Sequence, residues 1–307
     1  MDLNPSQQDI VERLGRRGSP THEFGPELRL GLRTELADGL APIAERLTDP
    51  LWLNKHVVAS VLGCERRCMA ERSHAFAWSV PTARGSVAHK AIELSVHRHD
   101  QLSPMELVDE AIASIIGSDP SLGDWLATCG DTTRAELRSE AVARVAAFEE
   151  IWPPLSPRWN PVLESRMAAE FCDGMIILRG KTDLTLGRAR GEVADKVVVD
   201  MKTGRFSPDH VADLRFYALL ETLKLGTPPR LLATSYLDSG ELHTEIVTAD
   251  LLWGQVRRVI DAAGRLATLI AGERDETTHP SHACRWCPVA SDCAEGQAWL
   301  RDLDEDY

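Results

Sequence analysis

The sequence predicts a mixed α/β (α+β) protein in which a core sheet is flanked by helices and preceded by a largely helical half. Three observations carry this. The first is the apolar face that Leu28, Leu30, Leu32, Leu36, Leu40, Ile43 and Leu47 draw among charged residues, joined by the alanine-rich stretch SEAVARVAAFEEIW as a second helical signal. The second is the run Val197, Val198, Val199, whose β-branched side chains suit a pleated sheet and which no turn former interrupts. The third is the proline-rich segment PPLSPRWNP at 153–161, which divides the two regimes.

In chain order, residues 1–55 read as a helical extension, with a break between Gly18 and Pro26. From Val57 to Arg72 a helix capped by Ser60 is expected to carry Cys64 and Cys68 one turn apart. A further helix starts at Pro81 and Thr82 and sets Gly85 and His89 on one face. Helices fill the stretch of about 100–160. Strands are then expected over Pro161–Phe171, with Glu164 and Glu170, and around Ile176 and Val198. A helix from about Pro208 to Leu225 carries Asp213 and Tyr217 on one face. Strands near Leu231–Leu237 and Leu242–Val247 and a long helix over Ala249–Ala271 complete the pattern, before an acidic tail at 295–307.

Composition narrows the function classes. At 43% hydrophobic and 26% charged residues the chain has the balance of a globular protein. It shows no run of about 18 apolar residues and no apolar signal core near its start, which points to a cytoplasmic protein without a membrane partner. A net charge of -13 argues against broad, nonspecific attraction to nucleic acid but is compatible with a local basic groove.

Two constellations carry chemistry. Asp200 and Lys202 lie two apart on one strand and therefore on one face, and a hairpin through Gly180 would bring Asp183 beside them. Two carboxylates and an ammonium at one end of a sheet can hold a hard cation and stabilise the charge of a phosphodiester under attack. A solvated hairpin with a salt bridge would show the same residues. The second constellation is HACRWCPVASDC, where Cys284, Cys287 and Cys293 follow C-x2-C-x5-C. Three thiolates need a fourth ligand, which Cys64 supplies, with Cys68 and then His282 as substitutes. Such a site takes an iron–sulfur cluster or zinc.

Together, Cys64, GSVAH at 85–89, GKTD at 180–183, DMKTG at 200–204, LRFY ending at Tyr217 and the cysteine tail resemble the PD-(D/E)XK nuclease superfamily, in its RecB/AddB-like branch with an iron–sulfur staple. CRISPR-associated single-strand exonucleases belong to the same branch. The resemblance implies a restriction-endonuclease-like core over 56–294, with a helical insertion at about 100–160 and a cysteine cluster that closes residue 64 onto 284–293. It implies that His89, Asp183 and Asp200 bind Mg2+ or Mn2+, that Lys202 positions or activates water, and that Tyr217 belongs to the catalytic set. Cys64, Cys284, Cys287 and Cys293 would hold a 4Fe-4S cluster, ahead of zinc, and Glu164 would support the site from the first strand. The implied activity is deoxyribonuclease action on single strands or ends in repair, recombination or defence. Because the sequence has no G-x-x-x-x-G-K-[ST], unwinding would need a helicase partner. The family helix reads QxxxY, but Asp213 stands four before Tyr217, where an acid is expected to repel a DNA phosphate. A noncatalytic DNA-binding or scaffold subunit is the alternative.

Overall fold

The computed structural model describes residues 3–16, 22–97, 102–204, 206 and 209–305. The first half supplies α1 (Pro5–Leu14), β1 (His22–Glu23), α2 (Pro26–Ala44), β2 (Leu51–Leu53), α3 (Lys55–Gly63), α4 (Glu65–Ser73), α5 (Val80–His97), α6 (Pro104–Ser118), α7 (Pro120–Thr128) and α8 (Asp131–Ile151). The second half supplies β3 (Val162–Phe171), β4 (Ile176–Leu186), β5 (Val193–Ala194), β6 (Val197–Lys202), α9 (Asp209–Leu225), β7 (Leu231–Tyr236), β8 (Leu242–Ile246), α10 (Ala249–Ile270) and α11 (Ala294–Glu305). The expected helix start at Pro208 lies outside the described residues.

A mixed six-stranded sheet, ordered β2-β4-β6-β7-β8 with β3 also on β4, forms the middle layer. One apolar core packs α2, α3, α9 and α10 on one face through residues such as Leu36, Val61, Leu219 and Val259. A second core packs α5, α6, α7 and α8 on the other face, with Ile92, Leu107, Leu126 and Val145. No helix among the described residues is long and apolar enough to cross a membrane.

β4 decides where the site forms. One of its edges carries β3 along nearly the whole strand. On the other edge β2 pairs in parallel with Ile176–Leu178, and β6 pairs antiparallel with Leu184–Leu186. Residues 179–183 lie between those two ladders, so this edge of the sheet is split. Tyr217 fills part of the split: a Cβ added at Gly180 would sit 2.6 Å from its ring, so this position needs a residue without a side chain.

Several expectations change. β2 falls within the expected helical extension, yet its Leu51 and Leu53 are buried and it is a strand of the central sheet. Ser60 caps no helix. Asn54 caps α3 by accepting from the Val57 N–H at 2.9 Å, and the chain turns extended at Cys64 before α4 begins. Cys64 is therefore a junction rather than a helical residue. The expected acidic tail begins as α11.

Candidate metal centre

Two adjacent clusters occupy the split in the sheet, and the Met201 peptide joins them. Its N–H donates to Asp183 Oδ2 at 2.7 Å, while its carbonyl accepts from His89 Nε2 at 2.9 Å. This follows from the sheet: the β4–β6 ladder stops at Leu184 and Val199, so the Met201 N–H and C=O bond to side chains of β4 and α5 instead.

The first cluster is His89, Glu164 and Asp183, whose ligand atoms all lie within 4.8 Å of one another. His89 Nδ1 stands 3.4 Å from Asp183 Oδ1 and 3.7 Å from Glu164 Oε1. Burial opposes the charge on His89, but Asp183 foremost, then Glu164, push its pKa up to about 10, so the imidazole carries a proton at neutral pH in this arrangement. Glu164 sits at φ 52, a left-handed backbone that strains a non-glycine residue. Its second oxygen pairs with Lys181, whereas its buried Oε1 has no hydrogen-bond partner. Once His89 gives up that proton, its imidazole, the carboxylates and a neighbouring carbonyl are a donor set for Mg2+ or Mn2+, and the Glu164 oxygen without a hydrogen bond fits such an ion.

The second cluster is a quartet of alternating charges. Asp200 is buried, with Lys55 Nζ 2.9 Å from Oδ1 and Lys202 Nζ 2.8 Å from Oδ2. Both ammonium groups also reach Asp213 Oδ2, at 3.3 Å and 3.4 Å. Burial would raise the Asp200 pKa, but Lys55 and Lys202 hold it well below the carboxylate range. Lys55 stays charged for the matching reason: burial lowers its pKa, and Asp200 with the groups around it more than reverses that. Its Nζ lies 4.8 Å from the centre of the buried Tyr217 ring, a cation–π contact.

Of the residues expected in the site, His89 and Asp183 share the first cluster and Asp200, Lys202 and Tyr217 belong to the second. Glu164, expected only in support, stands among the candidate ligands. Asp213 faces two lysines, so its charge is balanced within the protein. Lys55 had no sequence signal, being a lone lysine after a short apolar strand.

Outside the quartet a groove of about 770 Å³ runs between α5, the α6–α7 junction and the sheet, and Lys90, Arg166, Lys181 and Lys202 line it. Glu93, Asp119 and Glu164 line it as well, with Lys90 paired to Glu93 and Lys181 to Glu164, so the groove mixes both charges while presenting cations that could meet phosphates.

Cys64, Cys284, Cys287 and Cys293 all line one small cavity of about 20 Å³. Backbone N–H groups of His279 and Ser281 point at the sulfurs of Cys64 and Cys284 at 3.5 Å and 3.4 Å, and Gly296 packs against Cys293 and Cys284. Beside them Glu65 accepts from Arg274 at 2.6 Å and 2.7 Å and from Thr277, tying the α4 start to the tail. Cys68 is buried on its own helix, and burial raises its thiol pKa.

The model of the PD-(D/E)XK nuclease superfamily matches residues 56–294. Among solved structures, the chain is similar to a protein from Eubacterium rectale named provisionally as an exonuclease, at 13% identity and a TM-score of 0.48, covering 86% of this chain and 93% of that one. It is also similar to the protein SSO0001, at 12% identity and a TM-score of 0.35, covering 87% of this chain and 97% of that one. No curated protein matches the sequence.

Proposed function

The chain belongs to the PD-(D/E)XK nuclease superfamily, and from that premise we propose that it is a divalent-metal-dependent deoxyribonuclease of the RecB/AddB-like branch, acting on single-stranded DNA or DNA ends. The observation that carries this reading is the Met201 peptide, which holds Asp183 and His89 in one cluster while Asp200 and Lys202 flank it on the same strand. His89, Asp183 and Asp200, with Glu164 beside them, are the residues that would hold Mg2+ or Mn2+, whose charge polarises a phosphodiester and lowers the pKa of bound water. Lys202 orients the attacking water and offsets the negative charge that grows on the phosphorus oxygens. Lys90, Arg166 and Lys181 line the groove along which the strand's phosphates run to this point.

We further propose that Cys64, Cys284, Cys287 and Cys293 hold a 4Fe-4S cluster with a structural role. Their shared cavity and the two N–H groups aimed at sulfur support that reading. A helicase or another repair or defence protein would supply unwinding.

The test is cleavage of end-labelled single- and double-stranded DNA by anaerobically purified protein with Mg2+ or Mn2+, beside Lys202→Ala. Cleavage by the wild type alone supports the nuclease, and the label gives its polarity. DNA binding without cleavage in either metal supports a noncatalytic scaffold subunit instead, a reading that the net charge of -13 favours. Iron and sulfide analysis of the same protein tests the cluster against zinc.

A further inference from the structure

Lys55 stands one residue before the stretch that the family model matches, yet its ammonium is inside the candidate site. It arrives there for a local reason. β2 ends at Leu53, Asn54 caps the next helix, and Lys55 opens α3 beside the split between β2 and β6. Its side chain then meets Asp200, Asp213 and the Tyr217 ring.

We propose that Lys55 is a positioning residue of the nuclease site, and that its ion pair with Asp213 keeps Lys202 aimed at the reacting phosphate. The proposal rests on the nuclease reading and deepens it. Each lysine of the quartet touches both aspartates, at 2.9 Å and 3.3 Å for Lys55 and at 2.8 Å and 3.4 Å for Lys202. Asp213 thus has two cations to choose between. With Lys55 present it shares its charge, and Lys202 remains free to lean toward Asp200 and substrate. Without Lys55, Asp213 has Lys202 alone and draws it away from the reacting atoms. Asp213 and Tyr217 stand one turn apart on α9 and both meet Lys55, so the acid and this lysine act as one pair of charges on this chain.

The inference distinguishes a unit from two separate residues. Lys55→Met should lower kcat by about tenfold or more with KM near the wild-type value, since a misaimed group costs rate rather than binding. Lys55→Met/Asp213→Asn should recover at least about threefold of that loss, because the unpaired acid is gone. Lys55→Arg, which keeps the pair, should lie between wild type and Lys55→Met. Mn2+ binding by titration calorimetry supplies a readout apart from activity: removing an ammonium that competes for Asp200 should leave affinity equal or tighter.

Multiplicative losses in the double variant, or unchanged kcat in Lys55→Met, overturn the proposal. Weakened Mn2+ binding together with a collapsed circular dichroism spectrum in both variants overturns it in favour of a purely structural lysine. Absence of cleavage by the wild type in both metals overturns this proposal and the nuclease reading together, whereas a cleaving wild type beside an unaffected Lys55→Met overturns this one alone.

Discussion

The charged cluster and the thiol cluster both bring together residues remote in sequence, but by opposite means. His89, Glu164, Asp183, Asp200 and Lys202 stand on helices and strands of the central layers, and almost every charge there already faces a counter-charge or a peptide dipole. The thiols stand at a helix junction and on short turns, with a glycine and two long N–H contacts around them. A site that must place charges to a fraction of an ångström is built on the rigid sheet. The thiol site is left to loops, which Glu65 and Arg274 tie to the start of α4.

That contrast breaks most visibly in the charged cluster. Asp183→Asn still accepts from the Met201 N–H but loses its charge, so the fold should survive while cleavage falls by about a thousandfold. Single-turnover kinetics beside circular dichroism check this, and unfolding of the variant would refute the separation of charge from scaffold. In the thiol cluster, Cys287→Ser should act on stability instead. On the cluster reading proposed above, releasing a link that closes about 220 residues should cost about 5 kcal/mol by loop-closure reasoning, with loss of iron from the purified protein. Guanidinium melts of the wild type and the variant, with the iron content of each measured, check it.

Glu65→Gln should loosen the tail's anchoring by less than the loss of a thiol, because it replaces the charged hydrogen bonds to the part-exposed Arg274 with neutral ones. Its pH dependence has a definite sign. The Arg274 hydrogen bond, with help from Thr277 and despite burial, holds the Glu65 carboxyl down at about 2, against an ordinary 4.5. A depressed carboxyl stabilises the fold above its unfolded pKa, so this contribution is fully present above about pH 4.5 and is lost as pH falls toward 2. The variant's stability should accordingly change less with pH over that window than the wild type's. A smaller effect is expected at Gly180→Ala, where the new methyl presses on the Tyr217 ring. About 1–3 kcal/mol of destabilisation with a modest loss of rate would follow, and a fully active, equally stable variant would show that the ring yields.

Much of this was legible in the chain. The valine run and the apolar periodicities gave the strands and helices, and the order of GSVAH, GKTD and DMKTG marked the residues that meet at β4 and β6. Where local rules competed, they misled. Ser60 satisfies the preferences of a helix cap, but Asn54 stands at the true start, with its side chain on Val57 N. β2 is three residues long and is a strand only because β4 offers it an edge, which no local pattern records.

By itself, then, the sequence determined the layers, the family of the fold and the identity of the groups with unusual chemistry, because periodicity and spacing are properties of neighbouring residues. Tertiary structure alone decided that Lys55 joins Asp200 and Asp213, that the free oxygen of Glu164 faces His89, and that Asp213 meets cations instead of solvent. Coulomb energy depends on distance and burial, and neither exists until the sheet has closed against its two helical layers.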